Sequence, residues 1–198
     1  MEIRNACKEN ADELAYLINL AGEGIPAHLW QDMLEENESP LDVGIRRATR
    51  EEGSFSYTNA MICVENNVVL GMLISYRQPD PYPIEDLPEC PELVRPLIKL
   101  EAKAPGSWYI NAIATYEKHR GKGVASMLLA EAETLAKSNS CKSLSLIVAS
   151  ENEAAHRLYK HLGFKTRACL PVIPYPGCLH QANWVLMTRD LSLRRRKV

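Results

Sequence analysis

The eight residues His119-Arg120-Gly121-Lys122-Gly123-Val124-Ala125-Ser126 constrain this chain more than any other segment. Before them, Ser107–Thr115 is rich in aromatic and branched residues and reads as a strand. After them, Lys122–Lys137 reads as a helix, with Val124, Leu128, Ala132 and Leu135 on one face. Two glycines and an alanine strip side-chain bulk from this strand–helix join, so consecutive backbone N–H groups can converge on one anion. The helix start adds its positive dipole end and its free N–H donors. Arg120 and Lys122 add full charges, and a diphosphate fits such a cradle. Taken alone, the segment is better read as an ordinary glycine-rich strand–helix turn. Val124 follows Gly123, so the GKT or GKS ending of a nucleotide P-loop is absent. Ser126 stands where a dinucleotide-binding G-x-G-x-x-G needs its last glycine.

The surrounding chain alternates strands and helices. Leu144–Ala149, Phe164–Leu170 and Ala182–Arg189 read as strands. Ser150-Glu151-Asn152-Glu153 has the form of a capping box with Ser150 as N-cap, opening a helix that stops at Leu162-Gly163. Upstream, Ser56–Val64 and Val68–Tyr76 form a hairpin around Glu65-Asn66-Asn67. The N-terminal zone is a short strand, Glu2 to Cys7, and then helices marked by Leu14, Leu17, Ile18 and Ala21 and by Leu29, Trp30, Met33 and Leu34. Between hairpin and cradle, residues 78–96 hold six of the twelve prolines together with Asp80, Glu85, Asp86, Glu89 and Glu92. That stretch is a surface loop by default, or a stiff acidic wall over a pocket; a helix follows to about Ala102. The pattern is α/β on a mixed sheet.

Composition narrows the function. At 198 residues the chain is one domain, taken as residues 1–193, followed by a basic tail, 194–198. Net charge is −2, and removing the four positive charges of Arg194–Lys197 leaves −6 on the body. An acidic body is a poor partner for a phosphate backbone, so no nucleic-acid role is expected. Val68–Ile74, the strongest apolar run, is too short to cross a membrane, and the N-terminus lacks a leader pattern. The six scattered cysteines form no CxxC pair, which argues against zinc and disulfides and for the cytoplasm.

Together with Ile113-Ala114-Thr115 before it and Asn152-x-x-Ala155-x-x-Leu158-Tyr159-x-x-x-Gly163-Phe164 after it, the cradle segment resembles the GNAT superfamily of acyl-CoA-dependent N-acyltransferases. The likeness covers roughly residues 107–165. It implies a mostly antiparallel central sheet of about seven strands flanked by helices, with two splayed central strands. It implies acetyl-CoA as co-substrate, no metal, and transfer of the acetyl group to a primary amine by direct attack in a ternary complex. Arg120, Gly121, Lys122, Gly123, Val124, Ala125 and Ser126 would cradle the pyrophosphate through backbone amides. Ile113, Ala114 and Thr115 would offer a strand edge to the pantetheine arm. Asn152 would contact that arm near the thioester, and Tyr159 would protonate the departing thiolate.

The residues themselves leave alternatives. Tyr159 borders the stripe Ala155, Leu158, Leu162 and could be a core tyrosine; Asn152 could be a polar residue of the helix's first turn. His156 and His161 read as solvated positions. Where family members often place a proton-accepting glutamate, this chain has Ser107 and Ile147, so the general base is unassigned. Glu101, Tyr109 and Tyr76 are the nearest candidates in sequence order. The acceptor is expected to be a small cationic amine or a lysine or N-terminal peptide amine. The alternative is a non-catalytic acyl-CoA-binding module. A homodimer is left open, and no membrane partner is expected.

Overall fold

The computed structural model describes residues 1–192, so the basic tail at 194–198 lies outside the described residues. Seven strands follow the order β1-β2-β3-β4-β5-β7-β6. They are β1 (Glu2–Asn5), β2 (Ala60–Glu65), β3 (Val68–Arg77), β4 (Trp108–Thr115), β5 (Ser143–Ala149), β6 (Lys165–Pro171) and β7 (Asn183–Asp190). The helices are α1 (Ala11–Ala21), α2 (Ile25–Trp30), α3 (Pro40–Ala48), α4 (Arg95–Glu101), α5 (Val124–Ser138) and α6 (Glu153–His161). The pairs β1–β2, β2–β3, β5–β7 and β6–β7 are antiparallel, and β4–β5 is parallel. This is the α/β fold on a mixed sheet that the alternation predicts, mostly antiparallel as the family likeness implies.

The chain divides into two compact units, with breaks falling inside β3, β4 and α5. The first comprises Met1–Tyr76, Asn111–Ala132 and Pro176–Leu179. The hairpin turns at Asn66 and Asn67, both with positive φ (50° and 62°), which suits a two-residue turn between antiparallel strands. Its first strand starts later than the sequence suggests, because Ser56 caps a 3-10 turn at Tyr57–Asn59. Leu14, Leu17 and Ile18 of α1 and Val43 and Ala48 of α3 bury against Ile62, Met72, Ile74, Ala112 and Ala114. Burying each such side chain is worth about 1.5–3 kcal/mol. The stripe Leu29, Trp30, Met33, Leu34 fails as a buried face: only Trp30 is buried, and Met33 and Leu34 are exposed. The helix stops at Trp30 and gives way to a 3-10 turn, Gln31–Met33, which breaks the 3.6-residue spacing. Sequence reading passed over α3, although Ser39 and Asp42 cap it reciprocally.

The second unit comprises Arg77–Ile110, Glu133–Tyr175 and residues from His180 onward. Its parallel ladder pairs Trp108 with Leu144, Tyr109 with Ser145 and Ile110 with Leu146. Beyond that last pair β4 runs on to Thr115 and β5 to Ala149. The proline-rich stretch is pinned rather than loose. Arg95 donates to the carbonyls of Cys90 (2.9 Å) and Pro88 (2.9 Å), and Gln78 N donates to Ser107 O at 2.8 Å.

Gly71 of β3 lies hard against the backbone of β4. A Cβ there would stand 2.6 Å from the Ala114 carbonyl oxygen and 2.9 Å from Val124 Cγ1. Gly71→Ala should therefore cost about 1–3 kcal/mol through overpacking. Thermal unfolding should show Tm falling by roughly 2–4 °C per kcal/mol; an unchanged Tm would mean β4 yields freely at Ala114.

Candidate functional site

In the first unit, β4 ends at Thr115 and a 3-10 turn, Glu117–His119, delivers the chain to Arg120. Gly121 and Gly123 adopt φ of 77° and 82°, a left-handed backbone in which glycine alone is unstrained. A Cβ at either would meet nothing within 4 Å, so the space over this turn is open. Arg120, Gly121, Lys122, Gly123 and Ser126 are exposed, and Ala125 is partly so. Val124 is the exception, at 2% exposure with its side chain against the site of Gly71. Its side chain belongs to the core, and only its backbone can serve the cradle. Met127 N donates to Gly123 O at 3.0 Å. The N–H groups before Met127 open α5 without helical acceptors.

The sequence-singled residues Ile113, Ala114 and Thr115 lie on the same unit's stretch of β4, and Gly71 brings Ala114 and Thr115 beside Val124. Thr115 Oγ1 and His119 Nε2 are buried atoms with no hydrogen-bond partner. Buried polar atoms in native structures are seldom left unpaired. His119 Nδ1 lies 3.3 Å from Lys122 Nζ. Burial and the charges of Lys122 and Lys118 hold its pKa below the ordinary histidine value, so the ring tends to be neutral. Open glycines, unpaired helix amides, two cations and orphaned polar atoms together fit a polyanionic, extended ligand.

The second unit holds Asn152 and Tyr159 on α6. The structure corrects the cap: Asn152, and not Ser150, is the N-cap, with Oδ1 accepting from Ala155 N at 3.1 Å. Ser150 Oγ instead accepts from Asn183 N at 3.2 Å, because β7 lies beside it. Tyr159 is the buried residue of α6, and its ring tilts at 57° to Phe164 with centroids 5.8 Å apart. His156 is not a solvated position: it is partly buried, its Nε2 lacks a partner, and burial followed by Lys160 lowers its pKa. His161 is exposed as expected.

What anchors α6 carries no local sequence signal. Arg189 of β7, 9% exposed, donates Nη1 to the Leu162 carbonyl at 3.1 Å and Nη2 to Glu133. Its guanidinium lies 5.6 Å from the centre of the Phe164 ring. Burial pushes the Glu133 carboxyl up, but hydrogen bonds from Lys137 and Arg189 outweigh it and the net shift is down. The two glutamate places are now explained. Ser107 Oγ sits 2.6 Å from Ser145 Oγ and donates to Ala104 O at 2.7 Å, buried and fully engaged. Ile147 pairs with Leu186 of β7. The described residues include no group of three or more histidine, cysteine, aspartate or glutamate side chains able to hold a metal. None of their helices is long and apolar enough to cross a membrane.

The family model described as "Acetyltransferase (GNAT) family" matches residues 25–164. The GCN5-related N-acetyltransferase 4, chloroplastic, of Arabidopsis thaliana is 36% identical over 67 residues, which is 34% of this chain and 23% of that protein. The match thus spans about a quarter of that relative. Among solved structures, one described as an acetyltransferase superposes with a TM-score of 0.67 at 20% identity, covering 96% of this chain and 100% of that one. The putative acetyltransferase yncA of Salmonella typhimurium, solved with acetyl-CoA, gives 0.58 at 18% identity, covering 100% and 98%. At these identities the two structures establish the fold.

Arg189→Leu should cost about 1.5–3 kcal/mol, the scale of hydrogen bonds to charged groups. Urea unfolding measures this, and a midpoint equal to the parent's would remove Arg189 from the anchoring of α6.

Proposed function

Given that the chain belongs to the acetyltransferase (GNAT) family, we propose that it transfers the acetyl group of acetyl-CoA to a primary amine. The observation behind this reading is the turn at Gly121 and Gly123: left-handed, open above, flanked by Arg120 and Lys122, and opening α5. Both units are proposed to act as one acetyltransferase domain.

Arg120 to Ser126 hold the pyrophosphate, chiefly by backbone amides, with Arg120 and Lys122 supplying charge-assisted contacts. Ile113, Ala114 and Thr115 align the pantetheine arm along β4, and Asn152 contacts the arm near the thioester. Acetyl-CoA supplies an activated acyl carbon, so direct attack by the amine needs no acyl-enzyme. Tyr159 delivers a proton to the departing thiolate sulfur. Arg189 supports that role from outside, by fixing the end of α6 after Tyr159. The acidic stretch 78–96 favours a small cationic amine or a lysine-bearing or N-terminal peptide amine, by raising the local concentration of cations.

Gly123→Val places a branched side chain both in a left-handed backbone and in the open space of the cradle. Calorimetry should show acetyl-CoA binding abolished while thermal unfolding stays cooperative; equal affinity in parent and variant overturns the cradle. Tyr159→Phe should leave binding intact and lower turnover about 10²-fold, the lower range for a general acid. Thiol release from acetyl-CoA across an amine panel measures it. Undiminished turnover would return Tyr159 to the core, and binding without any turnover would mark an acyl-CoA-binding module.

A further inference from the structure

α4 ends on Glu101, a partly buried carboxylate ringed by polar groups from three other places in its own unit. Tyr82, from the proline-rich stretch, donates its hydroxyl to Glu101 Oε2 at 2.5 Å. Tyr109 of β4 donates a further side-chain hydrogen bond. The Gln78 amide adds a weaker interaction of the same sign. Gln78 is 3% exposed, yet its Nε2 makes no hydrogen bond of normal geometry. A buried amide donor left in that state is unusual, and it marks a polar pocket whose hydrogen bonding is incomplete.

The backbone around this pocket is clasped. Gln78 N donates to Ser107 O at 2.8 Å, and Gly106 N donates to Pro79 O at 3.1 Å. Ser107 is locked in turn to Ser145 of β5. The clasp fixes Gln78 beside the start of β4. Tyr109 precedes Ile110, the residue at which the β4–β5 ladder makes its last pair. So the carboxylate is tied, through one tyrosine, to the end of the paired part of the sheet. An ionised carboxylate has about four lone-pair sites, and two full hydrogen bonds with one weak contact leave room for another donor.

We propose that Glu101 receives the protonated acceptor amine and takes its proton, with Tyr82, Tyr109 and Gln78 orienting the carboxylate. This rests on the acetyltransferase reading given above. The balance is complete. An ammonium N–H bond breaks and its proton goes to a Glu101 oxygen. The freed nitrogen lone pair forms the C–N bond to the thioester carbonyl carbon, and the C–S bond breaks. The second proton shed by that nitrogen passes to solvent, which reprotonates Tyr159 after it protonates the coenzyme sulfur, and the Glu101 proton leaves to solvent. Burial raises the Glu101 pKa against the lowering effect of Tyr82, Tyr109 and, least, Gln78. The residue is thereby a stronger base than an exposed glutamate.

The test measures kcat/KM against pH, with a lysine-bearing peptide and 1,5-diaminopentane as acceptors, for the parent, Glu101→Gln and Tyr82→Phe. The parent should show an acid limb centred above the ordinary carboxylate range. Glu101→Gln should lower kcat/KM by about 10²-fold or more, abolish that limb and leave acetyl-CoA affinity unchanged by calorimetry. Tyr82→Phe removes a donor that lowers the Glu101 pKa, so the limb should move to higher pH. If Glu101→Gln keeps the parent's rate, or loses rate with the limb in place, the proposal falls while the acetyltransferase reading stands. If Glu101→Gln does not fold, the limb of Tyr82→Phe decides, and an unmoved limb overturns the proposal. If the parent binds acetyl-CoA but acetylates neither amine, the acceptor reading itself fails and takes this proposal with it.

Discussion

The contact at Gly71 is the constraint on which the glycine turn of the first unit depends. β3 has no side chain at this point, so the Ala114 carbonyl and the Val124 methyl groups come within reach of its Cα. Tyr116 N then donates to Leu70 O at 3.0 Å, closing the end of β4 against β3. With β4 and the first residue of α5 both set against one strand, the connecting turn has little freedom. Gly121 and Gly123 absorb the reversal by adopting left-handed backbone, and the helix amides emerge at a fixed place. The turn is thus a consequence of packing below it, and Val124 links the two by burying its side chain at the start of α5.

In the second unit the equivalent organiser is charged. Arg189 occupies three partners at once: a helix-end carbonyl, the Glu133 carboxylate and the Phe164 ring face. A planar guanidinium can serve all three because its donors lie in a fork while its face remains available for stacking. Phe164 in turn packs on Tyr159, and Phe164 N donates to Tyr159 O at 2.9 Å. At the other end of the helix, Asn152 caps α6 with its own side chain. Both ends of the short helix that carries Tyr159 are therefore fixed by specific polar contacts, and packing alone does not have to hold it.

The cradle, β4 and α6 were legible because their signals are local. Glycine at a positive-φ turn, alternation along a strand and a polar cap before a helix are properties of neighbouring residues. Even so, the cap was misplaced by two positions. Ser150 and Asn152 both suit an N-cap, and the choice between them is made by Asn183, which takes up Ser150 Oγ from across the sheet. The stripe from Leu29 to Leu34 failed for a related reason, since helical spacing does not reveal where α2 gives way to a tighter turn.

By itself the sequence determined the α/β alternation, the hairpin at Asn66-Asn67, the glycine turn within residues 120–126 and the likeness that names Asn152 and Tyr159. The alternation, the hairpin and the glycine turn follow from steric rules acting over a few residues; the roles of Asn152 and Tyr159 come from the likeness alone. The tertiary structure alone decided that Gly71 underlies the cradle, that Arg189 anchors α6, and that Glu101 gathers Tyr82, Tyr109 and Gln78. Each of those joins residues far apart in the chain, or turns a bland residue type into a necessary one. Glycine in a strand and glutamate at a helix end carry no mark of their partners, because close approach and burial are properties of the folded chain and not of any local run of residues.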